Sequence, residues 1–221
     1  MNSSRFLPGL GGILLSLVLS LCAAVGGTGF AGAGEPPSLR PPCCRTAPTN
    51  SPPTGKSLYQ LESVWTSDVG ARVGLRVLEG RPQVVVLFFT HCEYACPVLV
   101  RDLKRIEAAL PDAMRPSVDF LLISIDPERD TPAVLAEYRA SHRLGLDHWT
   151  LLTGTGDDVR ELAALLGVNY RKDVRGQYSH SNLITVLNDR GEVVHQQSGL
   201  DQDPAATVAA LVKEAGPKGA K

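Results

Sequence analysis

Two cysteines four residues apart, Cys92 and Cys96, lie in the segment Thr90-His91-Cys92-Glu93-Tyr94-Ala95-Cys96-Pro97. The segment follows an apolar run, Val84–Phe89, and leads into a stretch with helical spacing. A helix start stabilises a thiolate, because free N–H groups and the positive end of the dipole face the sulfur. Spacing of four puts both side chains on one helical face, with sulfurs close enough to bridge or to share a metal ion. Thiolates are soft donors that select Cu(I), zinc or iron–sulfur centres. Two sulfurs do not close a zinc site, so a metal site needs a third donor from elsewhere. His180, in Tyr178-Ser179-His180-Ser181-Asn182 ahead of the apolar run Leu183–Leu187, is the best candidate. The pair also supports a second chemistry. In a thiol–disulfide oxidoreductase, Cys92 would be the attacking catalytic thiol and Cys96 the resolving one. A peroxide-reducing enzyme is a weaker third reading: a Thr and Arg pair to polarise peroxide is not evident, with only Thr90 and Arg101 nearby.

Other polar residues have plainer readings. Asp126 and Asp130 read as turn and capping residues. His91 adjoins Cys92, but neighbouring side chains diverge, so it stays outside the ligand set. His142, His148 and His195 carry no ligand pattern, and Trp65 and Trp149 read as packing residues. Gly154-Thr155-Gly156-Asp157 lacks the lysine of a phosphate loop.

Several elements must position the pair. Val84–Phe89 is a short apolar run rich in β-branched and aromatic residues, as expected of a strand buried on both faces. Pro97 opens a helix through Leu99, Leu103, Ile106 and Leu110 to Pro111. Val118–Ile125 is a second buried strand, which makes a parallel βαβ crossover. Asp130-Thr131-Pro132 starts a helix to about His142, and Trp149–Leu152 is a short strand. Asp157 or Asp158 caps a helix ended by Gly167. Leu183–Leu187 and Glu192–Gln197 flank the turn Asn188-Asp189-Arg190-Gly191, and a last helix spans roughly Pro204–Glu214. Leu58–Leu78 could add an N-terminal hairpin. This order predicts a thioredoxin-like α/β fold, a central mixed β-sheet flanked by helices. In that fold the loop entering the Leu183 strand packs beside the cysteine helix. Thioredoxins place a cis-proline there, whereas this chain has no proline between Pro132 and Pro204.

The start of the chain belongs to no fold. Leu10–Val25 is apolar or small, Arg5 precedes it, and Ala31-Gly32-Ala33 supplies small residues for cleavage. Residues 1–33 therefore read as a secretory signal peptide, or as a membrane anchor if left uncleaved. Bulky Leu21 argues against lipidation at Cys22. Residues 34–57 form a Pro-rich linker, the domain spans 58–215, and 216–221 is a flexible tail. Export, to a bacterial periplasm or cell envelope, places the thiols where disulfides persist. Cys43 and Cys44 in the linker could bind metal, bridge each other under strain, or pair with Cys92 or Cys96. Of 221 residues, 43% are hydrophobic and 20% charged, as in an ordinary globular protein. The net charge of −1, without a large basic block, excludes nucleic acid as a partner.

The motifs Cys-x3-Cys-Pro, Ile125-Asp126-Pro127-Glu128-Arg129-Asp130-Thr131 and His180-Ser181, in this order, resemble the Sco/SenC family over roughly residues 58–201. The resemblance implies an exported copper metallochaperone that helps assemble the CuA centre of cytochrome oxidase. Copper would be held by Cys92, Cys96 and His180, with release coupled to dithiol–disulfide chemistry. Its partners would be a copper-receiving protein, such as an oxidase subunit, and a thioredoxin-like reductant. Two positions depart from the family pattern. Glu93 stands where proline is common, and Ser179 where aspartate is common.

Overall fold

The computed structural model describes residues 52–216. The signal or anchor segment with Cys22, the linker cysteines Cys43 and Cys44, and the tail beyond Gly216 lie outside the described residues. In chain order the elements are β1 (Val64–Ser67), β2 (Arg72–Gly74), β3 (Gln83–Phe88), α1 (Ala95–Ala109), β4 (Asp119–Ser124), α2 (Pro132–His142), β5 (Trp149–Thr153) and α3 (Gly156–Leu166). They continue with β6 (Tyr170–Lys172), β7 (Tyr178–His180), β8 (Leu183–Leu187), β9 (Val193–Ser198) and α4 (Ala205–Ala215).

Seven strands form one sheet in the order β2-β1-β5-β4-β3-β8-β9. The pairs β3/β4 and β4/β5 are parallel, whereas β1/β5, β3/β8 and β8/β9 are antiparallel, so the sheet is mixed. Every residue of β3 and β4 is buried, which explains the apolar runs Val84–Phe88 and Phe120–Ile123 at their centres. Helix α1 crosses between them, burying Leu99, Leu103 and Ile106 completely. It packs with α4, while α2 lies against β5 and β1. The crossover carries the chain from the end of β3 straight into the cysteine segment.

Both tryptophans are packing residues. Trp65 is fully buried over Gly154, where an added Cβ would lie 2.7 Å from its ring. Trp149 stacks on Phe120 at 4.6 Å. Behind β1, the guanidinium of Arg139 pairs with Asp68 and also donates to the carbonyls of Gly145 (2.8 Å) and Trp149 (2.8 Å). This buried pair ties the turn after β1 to α2 and β5. At the other edge, Thr54 donates to Glu192 (2.6 Å) and Ser57 to the Arg190 carbonyl (2.5 Å). Among the described residues, no helix is long and apolar enough to cross a membrane.

Three local expectations need correction. Helix α1 begins at Ala95, two residues before Pro97. Proline is tolerated in this first turn, where an N–H has no intrahelical acceptor to lose. Helix α3 is capped by Thr155 and not by Asp157 or Asp158. Thr155 has an extended backbone and accepts the N–H of Asp158, whose carboxylate returns to the Thr155 N–H in a capping box. The cap of α2 is Thr131, accepting from the Val134 N–H, which leaves Asp130 free for another task.

A further element has no counterpart in the sequence reading. Strands β6 and β7 form a separate two-stranded sheet, pairing Tyr170 with His180, Arg171 with Ser179 and Lys172 with Tyr178. Its turn is closed by the Asp173 carboxylate, which accepts the N–H groups of Arg175 (2.8 Å) and Gln177 (2.8 Å). Gly176 takes the left-handed conformation there, at φ 77°.

Candidate metal centre

The chain leaves β3 at Phe88, turns through Phe89–Tyr94 and enters α1. Cys96 falls in the first turn of the helix and is completely buried; Cys92 precedes the helix and is partly buried. Both are free thiols. The Cys92 sulfur accepts the backbone N–H of Cys96 at 3.3 Å, so the two side chains share one end of the helix. A hydrogen bond from the Cys96 thiol lowers the Cys92 pKa to about 5, helped by the N–H groups of Cys96, Tyr94 and Ala95 against the cost of burial. The Cys96 thiol is pushed up, first by donating to Cys92 and then by burial. Near neutral pH the reduced pair therefore holds one proton, on Cys96, and one negative charge, on Cys92. Alkylation of the metal-free chain by iodoacetamide should show it. The Cys92 rate should be flat through neutral pH and fall only as pH drops through about 5. A midpoint near the ordinary cysteine value would refute this charge state.

His180 ends β7, and its Nε2 lies 3.7 Å from the Cys96 sulfur. Its Nδ1 lies 3.0 Å from the Ser181 carbonyl. A carbonyl only accepts, so Nδ1 carries a hydrogen, and in the neutral imidazole the lone pair of Nε2 faces the sulfur. Phe89 meets the imidazole edge-on at 5.9 Å and packs against Tyr178 at 5.5 Å, which holds the ring in place. Two donors bound to one ion at about 2.0 and 2.3 Å, at tetrahedral to trigonal angles, stand about 3.5–3.7 Å apart. The separation of Cys96 and His180 fits that spacing, and two thiolates with one imidazole suit a soft ion. Among the described residues, no three His, Cys, Asp or Glu side chains converge tightly enough to hold an ion as they stand. The structure thus joins Cys92 to Cys96 and Cys96 to His180.

The segment Ile125–Thr131 braces both sides of this site, and here the reading of Asp126 and Asp130 as turn and capping residues falls short. Asp130 is fully buried, and its carboxylate accepts the Thr90 hydroxyl (2.5 Å), the Thr90 N–H (3.1 Å) and the Ser124 hydroxyl (2.5 Å). It fixes the loop two residues before Cys92. Asp126, also fully buried, pairs with Arg129, whose guanidinium donates to the Gly176 carbonyl at 2.7 Å. Lys172 pairs with Glu128 across the same gap at 2.5 Å. One motif therefore anchors the cysteine loop through Asp130 and the histidine hairpin through Arg129. The sequence signalled the motif but not its contacts, which are made across long separations.

The remaining histidines are engaged elsewhere. His91 contacts the Thr90 hydroxyl at 3.1 Å and stands 3.9 Å from Asp130. His142 stacks on Tyr138, His148 lies by Asp119, and His195 contacts Thr207. The peroxide reading loses its groups, since Thr90 donates to Asp130 and Arg101 pairs with the exposed Asp201 at 2.5 Å.

A mixed sheet with a dithiol at the start of its crossover helix and a histidine before the next strand defines a thioredoxin-like domain with a thiol–imidazole site. The SCO1/SenC family model matches residues 53–216, and the chain belongs to the SCO1/SenC family. The bovine protein SCO2 homolog, mitochondrial (Bos taurus) is 34% identical over 122 residues, covering 50% of this chain and 44% of that one. A protein of Stutzerimonas stutzeri is 29% identical over 145 residues, covering 64% of this chain and 69% of that one. The structure of Bradyrhizobium japonicum ScoI with copper bound superposes with a TM-score of 0.58 at 26% identity, over 69% of this chain and 96% of that one. The chain spans less than half the length of the mitochondrial relatives it matches.

Proposed function

We propose that this chain is an exported copper metallochaperone. Cu(I) is held by the thiolates of Cys92 and Cys96 and by Nε2 of His180, then handed to a copper-receiving protein such as the CuA-bearing subunit of cytochrome oxidase. The carrying observation is the His180 lone pair facing Cys96 at 3.7 Å, on the side of a dithiol that is already partly ionised. A relative of the same family was solved with copper bound. A disulfide switch was identified in BsSco, a similar structure and a member of the Sco family of cytochrome c oxidase assembly proteins. Export follows from the apolar start and A-x-A of residues 1–33.

Release is coupled to oxidation of the pair. The Cys92 thiolate attacks a partner disulfide, and Cys96 then displaces the partner, forming the Cys92–Cys96 bond. Two electrons pass to the partner, which leaves as a dithiol after taking up its protons, and two ligands are lost together. A thioredoxin-like reductant restores the pair. The partly buried, ionised Cys92 also favours a second reading, in which this exchange is itself the activity and copper is incidental.

Copper titration of the full chain in dithiol and disulfide forms separates the two readings, with Cys22, Cys43 and Cys44 replaced by serine. One copper bound per reduced chain and none held tightly by the disulfide form is the expected result. Equal uptake by both forms would remove the pair from the site.

A further inference from the structure

The β6–β7 hairpin ends in His180 yet stands apart from the main sheet, and its exposed charges are unbalanced. Residues 170–178 carry Arg171, Lys172 and Arg175 against the single carboxylate of Asp173, in a chain whose formal charge is −1. Asp173 is occupied in closing the turn, and Lys172 is matched by Glu128. Arg171 and Arg175 are exposed, and among the described residues neither guanidinium has an ion-pair partner within 4 Å. The cross-strand neighbour of Arg171 is Ser179, one residue before His180, so no acid stands directly opposite it. Across the site the only exposed carboxylate on the cysteine loop is Glu93, which gives the two sides opposite polarity.

Apolar exposure follows the same two segments. Val174 at the hairpin turn (104% exposed) and Tyr94 beside the cysteines (82%) are the most exposed large apolar side chains among the described residues. Apolar anchors beside a one-sign charged patch are features of a protein-docking surface, where charge sets orientation and rate.

We propose that the β6–β7 hairpin, with Arg171 and Arg175 as its charges and Val174 as an anchor, docks an acidic face of the protein that exchanges copper with Cys92, Cys96 and His180. The proposal rests on the copper reading above and adds the chemistry of the partner. An acidic face meeting the hairpin brings the incoming ligands to the His180 side of the site. Glu93 on the far side repels the reversed orientation.

The test is transfer of Cu(I) from the loaded full chain to the soluble copper-receiving domain of an oxidase subunit with net negative charge, with neocuproine as an uncharged acceptor. The parent is compared with Arg171→Glu and with Ser179→Asp, which sets a carboxylate opposite Arg171. At low salt, transfer to the acidic domain should fall about tenfold in Arg171→Glu and less in Ser179→Asp, and the differences should vanish at high salt. Copper stoichiometry and the rate to neocuproine should stay unchanged, which also shows that the variants are folded. Equal low-salt rates to the acidic domain in all three proteins would overturn the proposal. If the parent takes up no copper, the copper reading alone has failed. Affinity of the metal-free chains for the same domain then decides the docking surface: the same ranking supports it and equal affinities overturn it.

Discussion

Replacing Cys96 with serine should weaken copper binding by roughly a hundredfold to a thousandfold. Structural zinc affinities of about 10–16 kcal/mol shared among four donors assign about 2.5–4 kcal/mol to each, which sets the scale for one thiolate. Of the three proposed donors, Cys96 is the one in contact with both others: its N–H reaches the Cys92 sulfur and its own sulfur faces His180. A serine hydroxyl fits the space and can still donate to Cys92, so the fold and the loop should survive. It is, however, a hard and weakly acidic donor that Cu(I) does not favour. Competition against a chelator of known affinity measures the loss. Affinity within a few-fold of the parent would mean that copper sits elsewhere in the chain.

The second large effect is on stability. Asp68→Ala should destabilise the domain by about 3–5 kcal/mol, because it strands a buried guanidinium. Arg139 would keep the carbonyls of Gly145 and Trp149 but lose the carboxylate that, among the described residues, is the only one within 4 Å of it. For a domain of this size the melting temperature should fall by about 10 °C. The double variant Asp68→Ala with Arg139→Met should recover part of that, since an apolar side chain replaces the unpaired charge. A fall of a degree or two for Asp68→Ala alone would show that water reaches the pair. Copper stoichiometry of the folded Asp68→Ala chain should be normal, because the pair lies behind β1 and away from the cysteine loop.

What could be read from the sequence was local in pattern. Val84–Phe89 and Val118–Ile125 were legible as strands because both faces are buried, which leaves apolar runs at Val84–Phe89 and Phe120–Ile123. Helix α1 was legible from Leu99, Leu103 and Ile106, all fully buried, but Pro97 drew its start two residues too late. Hairpin β6–β7 was not legible: each strand has three residues, none of them buried, and no apolar alternation. Asp130 misled for a different reason. A carboxylate beside a helix start reads as a cap, whereas its partner Thr90 lies 40 residues away. His180 was found from its place before β8, yet its tautomer and its distance from Cys96 needed the fold.

Copper delivery requires that the two cysteines and the histidine act as one site. The most direct measurement is a Cu(I) titration of the reduced full chain beside its His180→Ala variant, with Cys22, Cys43 and Cys44 replaced by serine in both. One tightly bound copper per parent chain, weakened by roughly a hundredfold or more in the variant, is the result expected of a three-donor delivery site. Feeble binding to both, with the Cys92–Cys96 pair still exchanging disulfides at full rate, would contradict it and leave a reductase in place of a copper carrier.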